Sequence, residues 1–171
     1  LFKNNYFINL LEQNSTFNYN GINLLDSDNH VDNYIEINHL NKYTISKTNQ
    51  KNILKGNSKG VFYTKAIINK KGANSEAYQN NNNILLSSNA NVYSNPQLEI
   101  YNDDVKCSHG STTGAIDLDS LFYLRSRGIN LKEAKKILLN GFLNEIITPI
   151  DIISYNNKIN KKINNWLYNA N

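Results

Sequence analysis

Cys107 and His109 are the side chains with the clearest chemical potential, because a thiolate and a neutral imidazole can both ligate iron. They lie two residues apart, so on an extended strand both point to the same face. One thiol and one imidazole cannot complete a four-ligand cluster site, so any such site needs ligands from another chain or from solution. The competing readings are ordinary ones: a lone cysteine often serves as a small buried hydrophobe, and a lone histidine as a hydrogen-bonded turn residue. Cys107 is the only cysteine, which excludes an intramolecular disulfide and favours a reducing compartment. Glu99, Asp103 and Asp104 are the one acidic group that resembles an acid–base pair, but beside Asn102 they also read as a turn with solvated charges. His30 and His39 lack metal-ligand spacing and are expected to be structural or exposed. No Gly-x-x-x-x-Gly-Lys-Ser/Thr loop occurs, so nucleotide binding by a P-loop is not expected of this chain.

Charge does little to change this picture. The 171 residues carry a net charge of +4, but the basic residues are dispersed. The densest run, Lys158 to Lys162, is broken by Ile159 and Asn160 and reads as a solvated helix face rather than a phosphate-binding patch, so nucleic acid is not an expected partner. The 34 asparagines outnumber the 18 basic and 14 acidic residues combined, a compositional bias that carries no functional weight of its own. The chain contains no methionine and is expected to be a piece of something longer. No apolar stretch reaches the roughly 18 residues of a membrane span, and Leu1 to Leu11 lacks the basic start of a secretory signal.

The elements that must position these residues change type near residue 115. Before it, short β-prone runs recur between turn residues: Tyr19 to Leu25, Val31 to Ile37, Tyr43 to Ile45, Gly60 to Asn69, Ile84 to Ser87 and Gln97 to Tyr101. No amphipathic helix interrupts them, which predicts an all-β body of sandwich, barrel or β-helix type. Strict sequence repeats are absent, and periodicity does not choose among the three. Stacked asparagine turns would suit a β-helix, but the composition already accounts for them. After residue 115, Asp117 and Asn130 are expected N-caps and Gly128 a helix stop. Leu131, Ala134, Ile137, Leu138, Phe142 and Ile146 form an expected apolar stripe on the second helix. Thr148-Pro149 reads as the start of a third helix, for which Ile159, Ile163, Trp166 and Leu167 supply an apolar side.

Pro96 to Gly110 reads Pro-Gln-Leu-Glu-Ile-Tyr-Asn-Asp-Asp-Val-Lys-Cys-Ser-His-Gly and is followed by Ser111-Thr112-Thr113-Gly114 and Leu121-Phe122-Tyr123-Leu124-Arg125-Ser126-Arg127-Gly128-Ile129. This succession resembles the SufB/SufD family of iron–sulfur cluster assembly scaffolds. Ser58-Lys59-Gly60-Val61-Phe62, Ala77-Tyr78-Gln79-Asn80 and Asn83-Ile84-Leu85-Leu86-Ser87 continue the likeness upstream, and it covers about His30 to Phe142. Gly110 after His109 matches the SufD-type pattern, where SufB-type chains carry glutamate. Tyr63-Thr64-Lys65 and Asn140-Gly141-Phe142 depart from the family pattern and bear on local packing.

The resemblance implies a mainly β fold: a right-handed parallel β-helix over residues 1–115, truncated on its N-terminal side, followed by a small α-helical domain over 116–171. It implies a scaffold rather than an enzyme, paired with SufB and docking the ATPase SufC, with a homodimer as the assembly in isolation. A nascent Fe–S cluster or iron would be held transiently and shared with SufB, and no nucleotide or membrane would be bound. His109 and Cys107 become the candidate metal ligands at the SufB interface. Leu121, Phe122, Tyr123, Arg125 and Arg127 become candidates for the SufC-docking surface. The compartment implied is a bacterial cytoplasm or a plastid-type organelle. The alternatives are a SufB-like paralogue and a β-helical carbohydrate-active protein, the latter needing converging acids and an aromatic platform, neither of which the sequence makes evident.

Overall fold

The computed structural model describes residues 1–149 and 152–168. Eight strands come first: β1 (Phe2–Leu10), β2 (Thr16–Leu25), β3 (His30–His39), β4 (Ile45–Leu54), β5 (Lys59–Ile68), β6 (Ser75–Leu85), β7 (Asn91–Ile100) and β8 (Val105–Gly114). Odd strands form one sheet in the order β1-β3-β5-β7 and even strands a second, β2-β4-β6-β8, with every neighbouring pair parallel. The chain therefore winds as a parallel β-solenoid, one strand in each sheet per coil. Side chains stacked on successive coils are 29 to 32 residues apart. This repeat is one of backbone register, with residue types too varied to show as a sequence repeat.

The turns repeat as well. Asn14, Tyr43 and Asn74 occupy the same turn on successive coils, each with positive φ (65°, 58° and 58°). Their N–H groups donate along the solenoid, Tyr43 to Ala73 O at 3.0 Å and Asn74 to Asp104 O at 2.6 Å. Tyr43 therefore belongs to a turn, not to the strand expected from Tyr43 to Ile45; β4 begins at Ile45 and runs on to Leu54. At the opposite turn Gly56 has φ +67°, and a Cβ there would sit 2.9 Å from Ser27 N, so close coil stacking and backbone conformation both favour glycine.

The interior alternates between apolar clusters and amides. Leu10, Ile35 and Ile37 form one cluster, Leu25, Val31, Leu54 and Phe62 another, and Ala66, Ile68 and Ala77 a third. Between them Asn23, Asn52 and Asn83 stand in register on β2, β4 and β6. Asn23 Nδ2 donates to Asn52 Oδ1 at 3.0 Å, Asn52 Nδ2 to Asn83 Oδ1 at 2.6 Å, and Asn83 Nδ2 to Thr113 Oγ1 at 3.2 Å. Each amide satisfies the next, which is what permits buried polar groups. The amide stacking that the composition seemed to explain away is thus a structural device, and its most buried members lie on strands rather than in turns.

Three helices follow: α1 (Leu118–Ser126), α2 (Leu131–Ile147) and α3 (Ile153–Tyr168). Asp117 Oδ2 accepts from Ser120 N at 3.0 Å and Asn130 Oδ1 from Glu133 N at 3.0 Å, capping α1 and α2. Gly128, with φ +86°, closes α1 by donating to Arg125 O at 3.0 Å. Thr148 ends α2 as its C-cap, so it does not start the third helix, which begins at Ile153.

Helices α2 and α3 pack on the outer face of the even-strand sheet. Ile53 of β4 is buried with Leu139, Leu143, Ile147, Ile163 and Leu167, and Ile22, Leu24 and Ile84 flank them. The buried face of α2 is Ala134, Leu139, Leu143, Ile146 and Ile147, rotated from the expected stripe; Leu131 and Ile137 are exposed. The helix is apolar on more than one side, and contact with the sheet selects which side is covered. Lys51, next to Ile53 on the same covered outer face, is also buried. Its Nζ donates to Phe142 O at 2.7 Å, pairs with Glu145 and lies 4.7 Å from the centre of the Phe142 ring.

Candidate functional site: the last coil and the first helix

Strand β8 forms one edge of its sheet. Its register sets Val105, Cys107 and His109 opposite Ser75, Ala77 and Gln79 of β6, all three of which face the interior. Cys107 and His109 therefore share one side of β8, as their spacing requires. Cys107 is half-buried against the cluster of Ala66, Ile68 and Ala77. Burial pushes its thiol above the usual range, partly opposed by a backbone hydrogen bond at Ala77. It is thus a protonated thiol at neutral pH and becomes a ligand only where a metal or a positive neighbour draws the proton off.

His109 is exposed, beside a shallow depression that Lys47, Glu76, Tyr78, Gln79 and Ser108 also line. A Cβ at the neighbouring Gly110 would meet only Asn80 Oδ1, at 3.8 Å. Nothing among the described residues excludes a side chain at position 110. Among the described residues no group of three or more His, Cys, Asp or Glu could hold a metal ion. His109 and Cys107 supply at most two donors, both carried by an edge strand whose free side has no neighbouring strand among the described residues.

The remaining chemical candidates disperse. Glu99 pairs with Lys65 at 2.7 Å on the outer face of the odd-strand sheet. Asp104 accepts from Asn74 N and its own N–H donates to Asn102 Oδ1 at 3.0 Å, both within turns. His39 is fully buried, with Nδ1 2.8 Å from Thr44 Oγ1 and Nε2 2.8 Å from Ser46 Oγ. Burial lowers its pKa to about 4. His30 starts β3 in register with Lys59.

The same outer face carries an aromatic row not evident in the sequence. Phe7, Tyr34 and Tyr63 lie on successive coils, with Tyr34 and Tyr63 stacked at 4.9 Å and 12°. Their spacing of 27 and 29 residues hides the row from any local reading. The Tyr34 hydroxyl donates to Glu36 Oε2 at 2.7 Å, which pushes its pKa up to about 12.

Helix α1 presents the second candidate set. It buries none of its residues; Phe122 is 74% and Tyr123 55% exposed, and Leu121 is partly covered. Arg125 sits in the last turn and Arg127 is the C-cap, with its guanidinium 4.7 Å from the centre of the Tyr123 ring. Both cations favour the negative end of the helix dipole. An exposed apolar helix face of this kind normally marks an interaction surface.

The family model for the SUF system FeS cluster assembly SufBD core domain matches residues 1–142. The iron–sulfur cluster assembly protein SufD of Escherichia coli is 35% identical over 134 residues, covering 78% of this chain and 32% of that protein. A SufBD family protein of Synechocystis is 37% identical over 102 residues, covering 60% of this chain and 22% of its own length. A chloroplastic protein of Arabidopsis thaliana is 38% identical over 87 residues, covering 51% of this chain and 18% of its own length. The chain thus spans less than a third of the length of each of these relatives. The stretch that carries Cys107, His109 and the expected site lies inside the matched segment, and the chain belongs to the SufBD core family of the SUF iron–sulfur cluster assembly system.

Proposed function

We propose that the chain is part of a SufD-type scaffold that pairs with SufB, docks the ATPase SufC and holds a nascent Fe–S cluster, with no catalysis of its own. The observation that carries this reading is His109 on the open edge strand of the last coil. An edge strand offers unpaired backbone groups to a partner's strand, and pairing there would bring the partner's ligands to the imidazole and the thiol behind it. Gly110 supports the same geometry, since no described residue crowds a side chain there and its absence leaves the edge open to a partner. In this reading the cluster is cargo, shared with SufB and passed on. Without SufB, two copies would pair through the same edge.

The exposed Phe122–Tyr123 face of α1, with Arg125 and Arg127 at its end, is the SufC-docking surface in this reading. No helix among the described residues is long and apolar enough to cross a membrane. Relatives from a bacterium and a chloroplast support a bacterial cytoplasm or a plastid as the compartment. The carbohydrate-active alternative gains an aromatic row but loses on its geometry. Tyr34 and Tyr63 stack on each other, which spends the ring faces that a sugar would need, and the nearby Glu36 and Glu99 are engaged by the Tyr34 hydroxyl and by Lys65.

Co-expression with SufB and SufC tests the assignment. Phe122→Asp should leave stability within about 0.5 kcal/mol, as for other exposed positions, abolish co-purification of SufC and retain SufB. Retention of SufC by that variant would remove α1 from the docking surface.

A further inference from the structure

In the register of the even-strand sheet, Gln79 of β6 lies one coil back from His109 of β8, on the same side. Neighbouring strands are about 4.8 Å apart, so Gln79 supplies the next side chain beneath the imidazole on that face. It is 5% exposed, and its amide is held at both ends across the interior. Oε1 accepts from Thr64 Oγ1 of β5 at 3.2 Å, and Nε2 donates to Gln97 O of β7 at 3.1 Å. On either side of His109 other contacts close the last coil. Ser111 Oγ donates to Ser94 Oγ of β7 at 2.9 Å, while Cys107 and Leu98 of β7 pack on one cluster with Ala66, Ile68 and Ala77.

We infer that Gln79 is a positioning residue for His109, keeping the imidazole out at the edge where a partner reaches it, an inference that rests on the ligand reading of His109 above. A side chain on the last coil of a solenoid has two courses: it projects outward, or it folds back into the interior. The interior row behind His109 is polar, with Thr48 of β4 in register behind Gln79, so an imidazole would find hydrogen-bond partners there once space opened. The Gln79 amide, tied to β5 and β7, occupies that space. Cys107 is the internal comparison. Beneath it stands Ala77, which leaves room, and Cys107 is half-buried, whereas His109 above the longer Gln79 is exposed. Truncating Gln79 leaves a cavity that its neighbours collapse into, and the exposed imidazole is the neighbour freest to do so. The edge then presents its ligand for only part of the time, and whatever needs that ligand binds more weakly by the same fraction.

Modification by diethylpyrocarbonate at neutral pH, read residue by residue by mass spectrometry, reports where His109 stands, and the fully buried His39 reports the fold. In the full chain His109 should react while His39 stays protected. Gln79→Ala should slow His109 by about threefold or more, corresponding to presentation for about a third of the time or less, with His39 still protected. Gln79→Met, which keeps the length of the side chain in an adaptable form, should restore most of the original rate. If Gln79→Ala exposes His39, Gln79→Ser, which keeps a hydroxyl for the buried partners, is read in its place. An unchanged His109 rate, an equal loss in the Met variant, or loss of His39 protection in both truncations would each overturn the inference. Fe–S reconstitution on the complex with SufB and SufC separates it from the ligand reading. A slowed His109 with an undiminished cluster yield would uphold Gln79 as the support and remove His109 from the ligands. A lowered yield with His109 reacting at its original rate would overturn Gln79 in this role.

Discussion

Asn52 shows how much a single polar side chain contributes inside this solenoid. It is fully buried, accepts from Asn23 and from Gln50 Nε2, the latter at 2.8 Å, and donates to Asn83. Asn52→Ala would leave all three neighbours short of a partner in a dry interior, at a cost of roughly 2–4 kcal/mol. Chemical denaturation of the variant measures this, and an unchanged midpoint would show that the ladder is incidental. His39 gives a pH signature. Its pKa is about 4 in the folded protein against 6.5 unfolded, because burial disfavours the imidazolium. The neutral form is the one the fold accommodates, so His39 contributes stability in full above about pH 6.5, and this is lost as pH falls towards 4. The loss is on the order of 3 kcal/mol. His39→Gln, which can still bond Thr44 and Ser46, should flatten that part of the stability profile between pH 7 and 4. Identical profiles would exclude His39 as the cause. Neither residue was legible as important in the sequence: asparagine is abundant everywhere, and a histidine held by two hydroxyls has no motif.

Among the elements, the helix boundaries read well because caps act locally. Asp117, Asn130 and Gly128 each satisfy backbone groups within three residues of themselves. The strands read less well wherever their inward positions are polar. β8, β4 as far as Asn52 and β6 as far as Asn83 carry Asn, Gln, Thr and Ser on most interior positions, so the apolar alternation that marks a strand disappears. Near the end of β4 the alternation fails for the opposite reason, since Lys51 and Ile53 face outward yet are buried beneath α2. This contact predicts that Lys51→Ala loosens α2 by about 1–2 kcal/mol, through the lost bond to Phe142 O and the lost contact with its ring. Lys51→Met, which keeps the stem's packing, should cost less. Hydrogen exchange is the measurement: faster exchange in α2 with β3 and β5 unchanged is the expected pattern, and uniform acceleration would contradict it.

At the scale of the whole molecule, one dense stretch, Pro96 to Ile129, was enough to identify the family, while the solenoid itself was hidden in a register of about thirty residues that no local pattern reveals. The candidate site was legible for a simple reason: Cys107 and His109 occupy a single strand, so their relation follows from spacing alone. What the spacing did not reveal is that this strand is an edge, and that on their shared side Cys107 is half-buried while His109 is exposed. In the proposed scaffold reading, that placement would make His109 the ligand presented to a partner and Cys107 a thiol whose proton leaves only in the assembled site. The most direct test is Fe–S reconstitution on the complex of the protein with SufB and SufC, followed by its visible charge-transfer absorbance. The His109→Ala complex should assemble with wild-type stoichiometry yet form cluster at a yield lower by about tenfold or more, the scale of losing a metal-site contact. A wild-type yield from that intact complex would contradict the account.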